Sequence, residues 1–166
     1  RNFNLIVGED LDEVSEDFWN YMFSAEGQEV VEEVGYIPAD TEAPAYEGAE
    51  SELSGSVDVN GSTSVYPVVE AMAEAYQEIH PDVQIAVHST GSGAGVTSAI
   101  DGTTNIGMAS RDLNDDETSQ VSEVKAVALD GIAVIVHPNN PLETLSKEEV
   151  GSIFSGEIST WNEITE

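Results

Sequence analysis

The sequence contains no cysteine and few basic residues. The absence of cysteine excludes disulfide bonds, thiolate metal sites and a cysteine nucleophile. Lysine and arginine together number 4, against 33 aspartates and glutamates, so the formal net charge is −29. Nucleic acids and anionic membrane surfaces attract proteins through basic patches, which this composition does not supply. The charge therefore argues against both partners and favours a secreted or salt-adapted protein with many solvated carboxylates.

The sequence also lacks a long hydrophobic run. No stretch approaches the ~18 apolar residues of a membrane-spanning helix. No signal peptide is visible, so we expect any targeting segment to have been removed or to lie outside this sequence. Apolar residues still make up 40% of the chain, which is enough for a globular core. The length of 166 residues predicts one domain, since domains typically span ~100–200 residues.

The chain divides into three parts. Residues 1–37 predict one strand, over Phe3–Val7, and two helices capped by Asp10 and Ser24. Gly35 suits the left-handed end of the second helix.

Residues 38–56 are rich in proline, glycine, serine, alanine and acidic residues, with Tyr46 and Leu53 as their only large apolar side chains. Such a segment buries too little apolar surface to offset its ordering entropy, which predicts a linker.

Residues 57–166 alternate strand patterns with helix patterns. Val57 with Val59, and the run Val83–Val87, have the period of strands, while Ser146 with Glu149 predicts a capped helix. Alternation of this kind is typical of an α/β fold with a mostly parallel sheet flanked by helices.

Three short polar segments each follow a predicted strand: residues 61–64, 90–95 and 109–111. The carboxyl ends of parallel strands share one edge of a sheet, where ligands bind. The first two segments lead into helices, whose N-termini offer unpaired N–H groups and a partial positive charge. Arg111, one of two arginines, ends the third segment. The pattern predicts an anion site, although each segment alone also fits an ordinary turn or helix cap.

Enzyme and metal motifs do not fit these residues. A nucleophile elbow around Ser92 would need glycine at Thr90 and Ala94, and a dinucleotide fingerprint would need glycine at Val96. The three histidines are scattered without metal-ligand spacing, and acidic residues 114–117 lack the glycine of a calcium loop. We therefore predict no catalytic residue, no metal site and no cofactor.

Longer segments around these motifs resemble phosphate-binding proteins, the periplasmic or lipid-anchored substrate-binding components of phosphate ABC transporters, which have a type II periplasmic-binding-protein fold. The resemblance to the family's N-terminal part spans residues 57–164, through GSTSVYPVVEAMAEAYQEIHPDVQI, STGSGAGVTSAIDGTTNIGMASRDL and ALDGIAVIVHPNNPLETLSKEEVGSIFSGEISTWNEI. Residues 1–37, with RNFNLIV and FWNYMFSAEGQEVVEEVGYIP, are similar to the family's C-terminal end. The family order is therefore inverted in this chain.

In that family the first lobe contains the beginning and the end of the chain, and the second lobe contains the middle. The resemblance implies a single α/β lobe over residues 1–166, built from residues 1–37 and 57–166 in permuted order and joined by the acidic linker 38–56. A junction between tandem modules and a permuted single lobe both fit the inverted order. We favour the tandem junction because residues 38–56 look like an inter-module linker.

The resemblance also implies a function: capture of inorganic phosphate for ABC-type uptake, outside the cytoplasm, by a non-enzymatic protein whose full-length parent can carry a lipid anchor. The implied partners are phosphate, the transporter permease, and a second lobe or neighbouring module of the parent chain. The implied phosphate contacts are the side chains of Thr63, Ser64, Ser92, Ser110 and Arg111 and the backbone N–H groups of Gly93 and Ala94.

Two departures from the family leave alternatives open. The arginine and the Ser-Gly-Thr segment of the second lobe are missing, so the sequence holds half a site. Some members carry aspartate at the position of Ser110, where it accepts the proton of hydrogen phosphate, so another oxyanion such as sulfate is an alternative ligand. An interaction or scaffold module that retains the fold is a second alternative. A hydrolase using Ser92 or Ser64 is a third, but it lacks an oriented histidine.

Overall fold

The computed structural model describes residues 1–48, 52–131 and 134–164, which fall into two compact units, residues 1–131 and residues 132–166. The elements of the first unit are β1 (Asn2–Val7), α1 (Glu13–Met22), α2 (Ala25–Glu33), β2 (Ile37–Pro38), β3 (Gly55–Gly61), α3 (Tyr66–Ile79), β4 (Val83–Ser89), α4 (Ser92–Ile100), β5 (Ile106–Ala109), α5 (Asp115–Thr118) and β6 (Glu123–Leu129). The second unit contains α6 (Lys147–Ser155) and a 3₁₀ turn (Trp161–Glu163).

The first unit has a six-stranded sheet in the order β2-β6-β1-β5-β3-β4, which confirms the α/β class. Strand β1 lies between β5 and β6, so the strand predicted over Phe3–Val7 is inserted among the strands of residues 55–129. Strand β3 is parallel to β4 and β5, whereas β1 is antiparallel to both of its neighbours and β2 is antiparallel to β6.

The sheet is therefore mixed. The four strands β3 to β6 share one direction, as the prediction of a mostly parallel sheet requires, but β1 and β2 run the opposite way. Crossover helices fix the direction of successive parallel strands. The longer connection from β1 to β3 passes through two helices and imposes no such direction.

The hydrophobic core lies on both faces of the sheet. Alternate residues of a strand point to opposite faces, so Phe3, Leu5 and Val7 of β1 pack with α1, α2 and α3, whereas Ile6 packs with α4 through Val96. All of these side chains are buried. Strand β1 is thus covered on both faces from Phe3 to Val7, which explains the apolar run Leu5–Val7 at its end.

Of the three helix caps predicted for the two units, two are confirmed and one lies at a different residue. The side chains of Ser24 and Ser146 cap α2 and α6, and Gly35 has the predicted positive φ, +92°. The prediction of Asp10 as the first cap was wrong by two residues. Helix α1 begins after Asp12, whose carboxylate accepts a hydrogen bond of 2.8 Å from the N–H of Ser15.

The described residues of the predicted linker, 38–48 and 52–56, make more contacts than the composition of the segment indicated. The N–H of Ala25 donates to the carbonyl of Pro44 at 2.7 Å, and the N–H of Tyr46 donates to Glu26 at 2.7 Å. The Tyr46 ring packs against the core, and Leu53 is buried. Residues 38–48 therefore lie along α2, because hydrogen bonds and one aromatic ring replace the missing apolar content; residues 49–51 lie outside the described residues.

The second unit has a short helix and exposed apolar side chains. Glu149 completes the capping box of Ser146, and its pKa is lowered by the hydrogen bonds from Ser146. Ile135 is 93% exposed and Phe154 is 81% exposed. That residues 132–166 belong to the same lobe as the first unit stays a prediction. Across the described parts of the chain, no helix combines the length and apolarity that a membrane crossing requires.

Candidate functional site

The three polar segments meet at one edge of the sheet, where β3, β4 and β5 end. The N–H groups of Thr90 and Gly91 donate to the carbonyl of Gly61 at 2.8 and 2.7 Å, which joins the second segment to the first. The N–H of Ser62 donates to the carbonyl of Met108 at 3.0 Å, which places the first segment beside the third. Parallel register makes the strand ends adjacent, and these hydrogen bonds hold the segments in contact.

Two glycines allow this close approach. A Cβ on Gly61 would lie 2.2 Å from the carbonyl oxygen of Met108, and the φ of Gly61 is +147°. A Cβ on Gly95 would lie 2.6 Å from the same oxygen and 2.7 Å from the Cα of Gly61. Only a residue without a side chain fits between backbones at these distances.

The N-terminus of α4 is open. Its N-cap is Gly91, which offers no side-chain hydrogen bond. Within the described residues, the N–H groups of Ser92, Gly93 and Ala94 have no hydrogen-bond acceptor, and Gly93 and Ala94 are exposed. A Cβ on Gly91 or Gly93 would meet nothing within 4 Å. Three unpaired donors at the positive end of a helix dipole suit an anion.

The helices of the first unit differ in their first turns. Helices α1, α2 and α5 each have a side-chain cap, from Asp12, Ser24 and Asn114, and each has an acidic residue in the first turn. Helices α3 and α4, which begin at the converging segments, have neither. Between Val83 and Ser110 the only acidic residue is Asp101. The scarcity of acidic residues in this stretch, in a chain of net charge −29, is a sequence signal of an anion site that the motifs alone did not contain.

Ser92 and Ser110 are in direct contact. Their Oγ atoms are 3.3 Å apart, and the N–H of Ser110 donates to Ser92 Oγ at 3.1 Å. A hydroxyl has one proton and two lone pairs, so a Ser92 oxygen that accepts this bond keeps its proton for donation. The pair lies beside the open N-terminus of α4, because Ser92 is its first residue.

The other two predicted hydroxyls lie in the turn before α3. The N–H of Ser64 donates to Ser62 Oγ at 3.3 Å, and Ser64 Oγ accepts a hydrogen bond of 3.2 Å from Arg1. Thr63 is exposed, and its hydroxyl has no hydrogen bond to any described residue. The structure thus brings Ser92 and Ser110 together, while Thr63 and Ser64 reach the same edge through their own segment.

The guanidinium of Arg111 is engaged by an acidic side chain. It donates two hydrogen bonds of 2.8 Å to the two carboxylate oxygens of Glu117 and a third, of 3.0 Å, to the carbonyl of Asp112. The bidentate Arg111 lowers the pKa of Glu117 to about 2, and the same hydrogen bonds raise the pKa of Arg111. Arg111 therefore fastens the loop after β5 to α5.

The other arginine, Arg1, reaches this edge and was absent from the predicted site. Its Nη2 donates to Ser64 Oγ at 3.2 Å, and its Nε donates to Asp130 at 2.8 Å. The cause is the antiparallel direction of β1, whose first residue, Asn2, pairs with Leu129 at the end of β6. Sequence patterns did not contain that direction, so no local signal identified Arg1.

No three His, Asp or Glu side chains of the described ranges cluster in a way that could hold a metal ion.

Comparisons with known proteins match the chain to a family and to named binding proteins. The family model of the PBP superfamily domain matches residues 41–166. Phosphate-binding protein PstS 2 of Streptococcus agalactiae is 42% identical over 166 residues, covering 99% of this chain and 56% of the relative. Phosphate-binding protein PstS of Bacillus subtilis is 35% identical over 120 residues, covering 69% of this chain and 39% of the relative.

A solved structure agrees with the fold. The crystal structure of the phosphate-binding protein of a phosphate ABC transporter from Streptococcus pneumoniae TIGR4 superposes with a TM-score of 0.86 and 39% identity, over 99% of this chain and 63% of that chain. The chain spans 56% of the length of the PstS 2 relative and 39% of the length of the Bacillus subtilis relative.

Proposed function

The chain belongs to the PBP superfamily, and we propose that it is one lobe of an extracytoplasmic phosphate-binding protein that captures inorganic phosphate for ABC-type uptake. The relatives that match it are named phosphate-binding proteins, a name that describes binding and no reaction. The observation that carries the proposal is the open N-terminus of α4 beside the Ser92–Ser110 pair.

Local hydrogen bonds bind the anion in this proposal. The N–H groups of Ser92, Gly93 and Ala94 and the hydroxyls of Ser92 and Ser110 act as donors, with Thr63 and Ser64 at the neighbouring turn. Hydrogen bonds to a charged group contribute ~1.5–3 kcal/mol each. The net charge of −29 repels an anion at long range, but salt screens that repulsion and leaves short-range donors effective. Arg111 contributes by holding the loop that carries Ser110.

The remaining donors belong to a second lobe, and we propose that the segment order is permuted. An alignment of 166 residues at 56% coverage gives PstS 2 a length of about 300 residues, and 120 residues at 39% gives the Bacillus subtilis protein about 310. The PstS 2 alignment runs along 99% of this chain, yet PstS 2 is about as long as the Bacillus subtilis protein and so has no room for two tandem binding modules. We therefore propose the permuted single lobe in place of the tandem junction that the composition of residues 38–56 had favoured. The permease is the proposed partner, and a lipid anchor in the parent stays a prediction.

Titration with inorganic phosphate tests the proposal. Amide signals of Gly93 and Ala94 should shift in the NMR spectrum of the wild-type chain, with weak affinity because half the donors are absent. Ser92→Ala should weaken phosphate binding at least several-fold, with little change in melting temperature. Thr97→Ala, an exposed substitution in the same helix, should bind like the wild type.

Each outcome has a defined meaning. A submicromolar affinity of this chain alone for phosphate would contradict the proposal that it contains only half of the binding site. Absence of binding, or equal affinity in Ser92→Ala and Thr97→Ala, would contradict the assigned site and favour a scaffold module. Sulfate is the second candidate ligand, because position 110 carries a serine, whose hydroxyl can donate a hydrogen bond, instead of a carboxylate that only accepts. Equal affinities for sulfate and phosphate would support a general oxyanion site.

A further inference from the structure

We propose that Arg1 is a phosphate-binding residue of this half-site, an inference that rests on the proposed function. The basic residues of the chain number 4. Within the first unit, Arg111 is held by Glu117, and the Lys125 ammonium lies 4.1 Å from the centre of the Phe23 ring. Arg1 is the cation of this unit that hydrogen-bonds a predicted phosphate contact, Ser64.

The backbone brings Arg1 to the site. Strand β1 runs antiparallel to β5 and β6, so its beginning lies at the edge where those strands end. The carbonyl of Arg1 accepts a hydrogen bond of 2.9 Å from the N–H of Asp130, which extends the pairing of β1 and β6. The side-chain amide of Asn4 donates to the carbonyl of Arg111 at 2.9 Å, which ties β1 to the loop that carries Ser110.

The guanidinium is oriented from two sides. Asp130 accepts a hydrogen bond from Nε at 2.8 Å, and the Phe3 ring centre lies 5.7 Å from the guanidinium carbon. Nη2 uses one of its N–H groups on Ser64, so Nη1 and the second N–H of Nη2 are left to donate to the oxygens of a phosphate group. Asp130 is a positioning residue in this arrangement. The Arg1 side chain is 53% exposed, so a ligand can reach it.

The contact with Ser64 gives that hydroxyl a defined role. Ser64 Oγ accepts from Arg1 Nη2 at 3.2 Å, so its proton is available for a second partner. An anion at this edge would receive hydrogen bonds from both Arg1 and Ser64.

Matched variants of the 166-residue chain test the inference. Arg1→Gln and Lys125→Gln each remove one positive charge, but only the first removes a donor at the site. All variants carry the same residues ahead of Arg1, so that the chain's own terminal amine does not contribute. In phosphate titrations followed by the Gly93 amide signal, Arg1→Gln should bind at least tenfold more weakly than the wild type, and Lys125→Gln should lose less than twofold.

Two further measurements separate binding from a structural effect. Arg1→Lys should recover part of the lost affinity, because an ammonium keeps the charge but not the donor geometry of the guanidinium. The Arg1 Nε signal of the wild type should shift when phosphate is added. Melting temperatures of the variants should lie close to that of the wild type, because an exposed ion pair such as Arg1–Asp130 contributes only ~0–1 kcal/mol.

Equal affinity in Arg1→Gln and Lys125→Gln would overturn the role of Arg1 and leave the proposed function standing, provided that Ser92→Ala still weakens binding. An unshifted Arg1 Nε signal during wild-type binding would also overturn it. Absence of phosphate binding in the wild type would overturn the proposed function itself, and the role of Arg1 with it.

Discussion

Replacing Gly95 by alanine tests the close packing that brings the polar segments together. A Cβ at this position would lie 2.6 Å from the carbonyl oxygen of Met108 and 2.8 Å from that of Asn60. Both oxygens belong to the sheet backbone and cannot rotate away, so α4 would have to shift. A Cβ at Gly93, in the same first turn, would meet nothing within 4 Å, which makes Gly93→Ala the matched control.

The difference between the two variants isolates the cost of packing. Each substitution gains the same helix propensity, ~0.8–1 kcal/mol, so that contribution cancels. Inserting a methyl group into a closely packed region costs ~1–3 kcal/mol. For a chain of this size each kcal/mol lowers the melting temperature by ~2–4 °C. Gly95→Ala should therefore melt roughly 2–12 °C below Gly93→Ala.

Thermal unfolding followed by the far-UV circular dichroism of the helices measures this difference. The packing defect should also weaken phosphate binding by Gly95→Ala, because the Gly61 turn and the N-terminus of α4 would move apart. Equal melting temperatures of the two variants would refute the reasoning, since the steric conflict with Met108 would then be relieved without cost.

Two further predictions concern the Arg111–Glu117 ion pair and Tyr46. A carboxyl whose pKa is lowered in the folded state stabilises the fold at pH values above its ordinary pKa, so the contribution of Glu117 is lost as the pH falls from about 4.5 toward about 2. Arg111→Gln should raise the pH midpoint at which the Glu117 carboxyl carbon signal titrates in the NMR spectrum, and an unchanged midpoint would disprove the pairing. Tyr46→Phe removes a hydrogen-bond donor that joins residues 38–48 to Asp17 of α1, and it should lower the free energy of unfolding in urea by ~1–3 kcal/mol. Tyr66→Phe should lower it by less than ~0.5 kcal/mol, because its hydroxyl bonds Glu70 one turn along the same helix; equal losses would contradict the tertiary role of Tyr46.

Local structure followed from local sequence. The period of two over Phe3–Val7 and Val83–Val87 identified strands because alternate residues of a strand face opposite sides. Ser24 and Ser146 marked helix starts because their hydroxyls satisfy N–H groups that the helix leaves unpaired. The glycines of residues 61–64 and 90–95 indicated tight turns, and the structure shows the close backbone contacts that need them.

Packing of distant segments could not be derived from the sequence in the same way. Tyr46 lies in a segment with few apolar residues, yet its ring packs against Tyr21 and its hydroxyl donates a hydrogen bond to Asp17, both of which belong to α1. Composition measures how much apolar surface a segment has, but it does not show what that surface meets. The choice of Asp12 over Asp10 as a helix cap is of the same kind, because either carboxylate could cap a helix starting one residue later.

The sequence by itself determined the principal strands and helices of the first unit, the α/β class and the polar segments at the strand ends, because each depends on neighbours within a few residues. Only the tertiary structure decided which arginine meets them. Arg111 follows the end of a strand, but its guanidinium is bound in a bidentate contact by Glu117 of α5. Arg1 lies more than 60 residues from Ser64 in the chain, and the antiparallel direction of β1 brings them within a hydrogen bond. Strand direction depends on the whole sheet, so it has no local signature.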